Sequence, residues 1–151
     1  MPRFHSSSLR VGRWSESGRP YLLTTNTIDR QPFFRDFWVG RLVVRELRRT
    51  AEAGCVESLA WVVMPDHLHW LAVLGNASLA QTMLQVKSAS AVNINRHLGR
   101  SGPVWQRGYQ DRALRREEDI KDVARYVVAN PLRAGLVRKL NDYPLWDAIW
   151  V

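Results

Sequence analysis

The sequence predicts an α/β domain of the α+β type, with an antiparallel sheet carrying helices on one face. Three observations predict it. Apolar positions alternate between the two-residue repeat of strands and the three-to-four-residue repeat of helices, in the order strand, helix, strand, strand, helix, strand. The two central strands are separated only by Met64-Pro65-Asp66, which is turn chemistry and makes them a hairpin. The 151 residues are 46% hydrophobic, enough for one sizeable core and no independent second domain. Two βαβ halves in this order form the ferredoxin-like βαββαβ arrangement, here with an additional C-terminal helix.

Each element has its own signal. Residues 1–20 mix Ser and Arg with Pro, Gly and Trp, and read as an N-terminal arm. Tyr21–Thr27 is rich in Tyr, Leu and Thr and forms the first strand. From Asp36, a plausible N-cap, to Ala53, the positions Phe37, Val39, Leu42, Val43, Leu47 and Ala51 trace a helical stripe, although Gly40 weakens its start. Arg41, Arg45, Arg48 and Arg49 fall largely on its other face. Val56–Val63 and His67–Leu74 are the hairpin strands, and Leu79–Leu98 is the second helix, stopped by Gly99. Val104–Leu114 holds a fourth strand, broken or bulged at Gly108. Glu117–Ala129 is the third helix, its acidic first turn suited to the helix dipole and its end set by Asn130-Pro131. Residues 138–151 form a C-terminal tail whose aromatics dock on the domain.

Charge narrows the class of partner. Lys plus Arg outnumber Asp plus Glu by 22 to 14, giving +8 and a pI near 10.5, which favours polyanions. Only Lys87, Lys121 and Lys139 are lysines, so the charge is carried by arginine, whose planar fork engages phosphates bidentately. Cys55 is the single cysteine, which excludes an intrachain disulfide and a thiolate cluster and fits a reducing cytoplasm. No apolar h-region and no membrane-length apolar stretch occurs, so neither export nor a membrane partner is expected.

The chemistry centres on MPDHLHW, residues 64–70. In a strand, residues two apart share a face, so His67 and His69 project together while Leu68 and Trp70 project to the other side. With helices over Leu68 and Trp70, the histidines lie on the open face, where an imidazole pair can hold a divalent metal or a phosphate. Two histidines near a turn are also ordinary polar surface residues, and a metal would need further oxygens. A second signal comes from RYVVANPLRAG, residues 125–135. On a helical wheel Ile120, Ala124, Val127 and Val128 form the buried arc, and Tyr126 and Asn130 stand together at its border. A border tyrosine is commonly structural, yet this pair also presents a phenol beside an amide oxygen.

With these residues in view, the chain resembles the IS200-like transposases that use a catalytic tyrosine, and within them the REP-associated tyrosine transposases. The family's histidine, hydrophobic, histidine signature is matched by His67-Leu68-His69, and its tyrosine with an amide four positions later by Tyr126 and Asn130. VWQRGYQDRALRREEDI, residues 104–120, is also typical of the branch, and the likeness covers about residues 21–137 as a catalytic domain. Asp66 stands where an asparagine is equally familiar.

The resemblance implies that His67, His69 and Asn130 hold Mg²⁺ or Mn²⁺ against a phosphate of single-stranded DNA. Tyr126 would attack it, leaving a 5′-phosphotyrosyl link and a free 3′-hydroxyl. It implies recognition of REP hairpins and an adjacent single-stranded tag, a prokaryotic cytoplasmic setting with nucleoid association when bound, and a monomer or a homodimer. No general base is compelled by spacing; Gln85, Lys87 and Asp122 are candidates. Tyr109 is a rival nucleophile ranked below Tyr126.

For DNA contact, Arg100, Arg107, Arg112, Arg115 and Arg116 form the densest basic stretch, interleaved with Trp105 and Tyr109, a mixture suited to phosphates and stacked bases. Arg3, Arg10 and Arg13 of the arm are further candidates. Solvated arginines and a buried tryptophan would look the same in sequence. Two other functions compete: a nonenzymatic ferredoxin-like nucleic-acid binder, which would be expected to carry aromatic RNA-binding motifs where this chain has histidines, and a hydrolytic metallonuclease with a structural Tyr126.

Overall fold

The computed structural model describes residues 18–115 and 117–150, with residues 117–119 described through their backbone alone. Strand β1 (Pro20–Asn26) alternates strictly, burying Tyr21, Leu23 and Thr25. Helix α1 (Phe37–Glu52) starts at Asp36, whose carboxylate accepts from the Trp38 and Val39 N–H groups. Strands β2 (Val56–Met64) and β3 (His67–Leu74) form the hairpin around Pro65-Asp66. Helix α2 (Leu79–Leu98) opens with a reciprocal capping box between Ser78 and Gln81 and closes at Gly99, which adopts the left-handed φ of 65° that only glycine takes without strain.

Beyond α2 the chain departs from the expected single strand. Trp105 makes only an isolated bridge to Thr27, Gly108 turns the chain with φ 81°, and strand β4 is confined to Gln110–Ala113. Helix α3 (Glu117–Val128) is followed by a short helix α4 (Asn130–Arg133) and strand β5 (Trp146–Ala148).

The sheet runs β4-β1-β3-β2-β5 and is antiparallel at every pairing. Its first four strands have the ferredoxin-like order, and β5 extends the β2 edge. Helices α1 and α2 cover one face, where Val39, Val43 and Leu47 of α1 and Met83, Val86 and Ile94 of α2 pack on Leu23, Trp61, Val63, Leu68 and Trp70. Burying each such aliphatic side chain contributes about 1.5–3 kcal/mol.

The additional helix α3 lies on the opposite face. Its Val123, Ala124, Val127 and Val128 cluster with Ala60, Val62, Met64 and Leu71. The histidine side of the sheet is therefore not wholly open, as the alternation alone suggested. The reason is that β2 and the second half of β3 are apolar on both faces, so a second amphipathic helix is needed to keep Leu71, Ala60 and Val62 from water.

The C-terminal segment closes the β2 edge. Leu145 is buried in the α1/α2 core, its carbonyl accepts from the Val63 N–H at 2.9 Å, and the Tyr143 hydroxyl donates to the Val63 carbonyl at 2.6 Å. This contact also explains Gly40: a Cβ there would lie 2.5 Å from Leu145 Cδ1. Among the described residues, no helix is long and apolar enough to cross a membrane.

Burial pushes the Tyr143 phenol up to about 12. In the unfolded chain it ionises near its ordinary value of about 10, so the stability it provides is intact below that pH and is lost as pH rises toward the folded value. Urea unfolding at pH 9 and pH 11 should show a larger loss of stability for the native chain than for Tyr143→Phe. Equal losses would assign the alkaline sensitivity to other groups.

Candidate active site

The site begins with β3. Strand alternation buries Leu68 and Trp70 completely and leaves His67 and His69 half-buried on the α3 side, with ring centroids 4.8 Å apart at 84°. Register then fixes their neighbours: Asn26 of β1 and Met64 of β2 flank His67, and Thr24 and Val62 flank His69. Cross-strand partners share a face.

Both imidazoles are oriented through Nδ1. His67 Nδ1 donates to Asp66 Oδ1 at 2.7 Å, and the other carboxylate oxygen of Asp66 accepts from Arg30 Nε at 3.1 Å. His69 Nδ1 lies 2.9 Å from Thr24 Oγ1. Arg30 reaches Asp66 from a strained turn in which Asp29 and Arg30 have φ of 51° and 53°. Left-handed backbone costs roughly 1–2 kcal/mol per non-glycine residue, and the charge-assisted pair with Asp66 offsets part of it.

The electrostatics suit ligands. Burial works to raise the Asp66 carboxyl, but the hydrogen bonds from His67 and Arg30, together with their charges, outweigh it and hold the group below its ordinary range. Burial, reinforced by the charges of His67 and Arg133, lowers His69 to about 4, so its ring is neutral at physiological pH. In the tautomer in which His69 Nδ1–H donates to Thr24 Oγ1, the neutral ring keeps the Nε2 lone pair for a ligand, which is the usual arrangement of a metal-binding histidine and its outer partner. Among the described residues no three His, Cys, Asp or Glu side chains gather as a metal cluster.

Helix α3 and the start of α4 bring Tyr126 and Asn130 to this side of the sheet. Tyr126 is 56% exposed although its neighbours Val127 and Val128 are buried. Pro131 has no N–H to give the Val127 carbonyl, and Asn130 Nδ2 caps that carbonyl instead at 3.0 Å, lying 3.5 Å from the Tyr126 carbonyl. The Asn130 amide oxygen has no protein donor among the described residues. Arg133, not singled out in the sequence, donates to the Tyr126 carbonyl at 2.7 Å and stacks with Cζ 3.8 Å from the Tyr126 ring centroid. Thr24 and Arg30 were likewise missed; neither carries a motif, and only the sheet register and the turn bring them to the histidines.

The remaining candidates divide by position. Tyr109 packs half-buried against the α1/α2 core, across the sheet from the histidines. Gln85 and Lys87 sit on α2, on that same far side, and Lys87 Nζ donates to the carbonyls of Gln106 and Gly108. Asp122 is exposed and paired with Arg125 at 3.2 Å. Arg112 is exposed and shares the histidine face through its pairing with Leu22, while Arg107 and Arg115 are exposed at either end of β4.

Two candidates for DNA contact have partners within the fold. Trp105 is buried in the core, near Phe34 at 5.4 Å, and its indole N–H donates to Ser90 Oγ at 3.0 Å, so its ring is not presented to bases. Arg100 is committed to Asn95 Oδ1 at 2.7 Å, the Pro103 carbonyl and the Phe33 ring, pinning the end of α2 to the following loop. Arg3, Arg10, Arg13 and Arg116 lie outside the described residues.

A family model described as "Transposase IS200 like" matches residues 20–130. A REP-associated tyrosine transposase of Escherichia coli K12 is 26% identical over 87 residues, covering 56% of this chain and 50% of its own. A similar protein of Haemophilus influenzae is 27% identical over 108 residues, covering 64% and 61%. The chain thus spans about half to three-fifths of the length of these relatives. Among solved structures, a REP-associated tyrosine transposase bound to a REP hairpin superposes with a TM-score of 0.73 at 20% identity, over 97% of this chain and 82% of that one. A transposase-like protein of Deinococcus radiodurans R1 superposes with a TM-score of 0.54 at 21% identity, over 84% and 95%. At these identities the superpositions speak to fold.

The burial of Trp105 is measurable. Trp105→Ala should lower unfolding free energy by about 3–5 kcal/mol, the range for emptying a buried aromatic site, in a denaturant titration. A change within about 0.5 kcal/mol, as for a surface stacking residue, would return Trp105 to the nucleic-acid interface.

Proposed function

The chain belongs to the IS200-like transposase family, and on that premise we propose that it nicks and rejoins single-stranded DNA beside REP-like hairpins through a phosphotyrosine link at Tyr126. The observation that carries this reading is that α3, bearing Tyr126 and leading directly into Asn130 at the start of α4, packs on the sheet face that carries His67 and His69. Tyr126 is largely exposed there, which speaks against a purely structural tyrosine.

In the proposed step the Tyr126 oxygen attacks phosphorus, an O–P bond forms and the P–O3′ bond breaks. The phenol proton leaves to solvent, the 3′-oxygen takes one up, and the 5′ end stays joined to the protein. Attack by another 3′-hydroxyl reverses the step and joins strands without ATP, because the phosphotyrosyl bond conserves the ester.

His67 and His69 through Nε2, with the Asn130 amide oxygen, are the proposed holders of Mg²⁺ or Mn²⁺, the rest of the shell coming from water and phosphate oxygens. Such a cation supplies Lewis-acid neutralisation of charge on the phosphoryl group. The chain's own part is orientation: Asp66 and Thr24 keep the imidazoles turned, and the Asn130 amide nitrogen is spent on the helix end, which leaves its oxygen without a donor among the described residues. The hairpin partner is carried from the bound relative as part of the proposal, and the exposed Arg112 within β4, with Arg107 and Arg115 beyond its two ends, are the proposed backbone contacts.

Incubation with hairpin-bearing single-stranded DNA should give a covalent protein–DNA adduct that is lost in Tyr126→Phe and retained in Tyr109→Phe, read on a denaturing gel. Chelator should abolish the adduct and Mg²⁺ or Mn²⁺ restore it. Cleavage without any adduct would favour hydrolysis, and binding without cleavage would leave a nonenzymatic binder.

A further inference from the structure

We propose that Arg133 is a further catalytic residue of this site: stacked on the Tyr126 ring, its guanidinium takes the DNA phosphate that Tyr126 attacks. The proposal rests on the reading of Tyr126 as nucleophile and adds the group that receives the phosphate.

The placement of Arg133 follows from the break between α3 and α4. Seven residues along a continuous helix would be about 10 Å apart along its axis. The chain instead turns at Ala129, where helix α3 has ended and Pro131 cannot continue the ladder, and Arg133 folds back over Tyr126. Its Nη2 donates to the Tyr126 carbonyl, which Asn130 Nδ2 reaches only at 3.5 Å, and this accounts for one of five guanidinium N–H donors. A helix-end cap needs no more than that.

The rest of the group has no such explanation. Arg133 is exposed, and among the described residues it has no carboxylate and no other hydrogen-bond partner. A guanidinium stays charged at any physiological pH. A permanent cation, four of whose five N–H donors have no acceptor among the described residues, therefore stands against the nucleophile's ring. The ligand that matches is an anion with two oxygens in one plane, and the non-bridging oxygens of a phosphodiester are that. Charge on those oxygens rises during attack, so the contact strengthens as the reaction proceeds.

The test separates affinity from chemistry. In a Tyr126→Phe background, which keeps the ring but forms no adduct, binding is compared for Arg133, Arg133→Gln and Arg133→Lys. The DNA is a hairpin with a single-stranded flank, natural or carrying one neutral methylphosphonate moved along the flank. Arg133→Gln should weaken binding to natural DNA by about tenfold, as for loss of one charged hydrogen-bonded contact. It should lower the salt slope by about 0.7, and have no further effect once one particular linkage is neutral. Arg133→Lys should recover part of the affinity. With Tyr126 intact, Arg133→Gln should slow adduct formation by about 100-fold.

A cap with no phosphate contact would weaken natural and neutralised DNA equally at every position, and that result, or adduct formation at the native rate, overturns the proposal. If the native chain forms no adduct, the phosphotyrosine reading fails instead, and the linkage scan still decides whether Arg133 meets a backbone phosphate.

Discussion

The two-residue repeat of β3 is the constraint on which the rest of this structure depends. Leu68 and Trp70 are drawn into the α1/α2 core, so His67 and His69 must emerge on the other side. A slip of one residue would put two imidazoles among Val43, Leu47 and Met83 and expose a tryptophan, a loss of several kilocalories per mole by burial alone. Register is held from both flanks, by Thr24 and Asn26 of β1 and by Val62 and Met64 of β2. The Trp70 indole N–H, bonded to Ser58 Oγ at 2.9 Å, adds a polar check on the same alignment.

Around that alignment the chain builds a layer of supports. Asp66 lies at the hairpin turn and so is close to His67 by construction, but its charge is held by Arg30 from a turn 36 residues earlier. Two successive left-handed residues, Asp29 and Arg30, are the kind of backbone strain that persists only where surrounding structure over-determines it. The same turn is tied down by the Thr27 hydroxyl and by backbone bonds to Asp66 and Val104. Orientation of the imidazoles is therefore a property of three segments acting together.

The two faces of the sheet divide labour. The α1/α2 side takes the bulky aromatics, including Trp105 and part of Tyr109, and uses Arg100 and Lys87 as clamps on the loop that leads to β4. The α3 side keeps a smaller apolar patch, with His67 and His69 half-buried beside it and Tyr126 exposed. Stacking aromatics and basic residues close in sequence to the edge strand thus serve different ends, because the side of the chain on which each residue falls decides whether it meets core or solvent.

The local signals in this sequence determined a good deal: the order of the elements, the Asp36 and Gly99 helix boundaries, the hairpin, and the pairing of His67 with His69 and of Tyr126 with Asn130. All of these are set by interactions within a few residues, where strand and helix periods and turn chemistry act. Tertiary structure decided what depends on distant partners. Which face α3 covers followed from the apolar surface that β2 and β3 leave over. The addition of β5 followed from the unpaired β2 edge. Trp105 went inside because Ser90 and Phe34 were there to receive it. Arg133 met Tyr126 because a proline broke the helix between them. Thr24, Arg30 and Arg133 have no motif to announce them; a hydrogen bond across 45 residues or a stack across a helix break exists only once the chain has closed on itself.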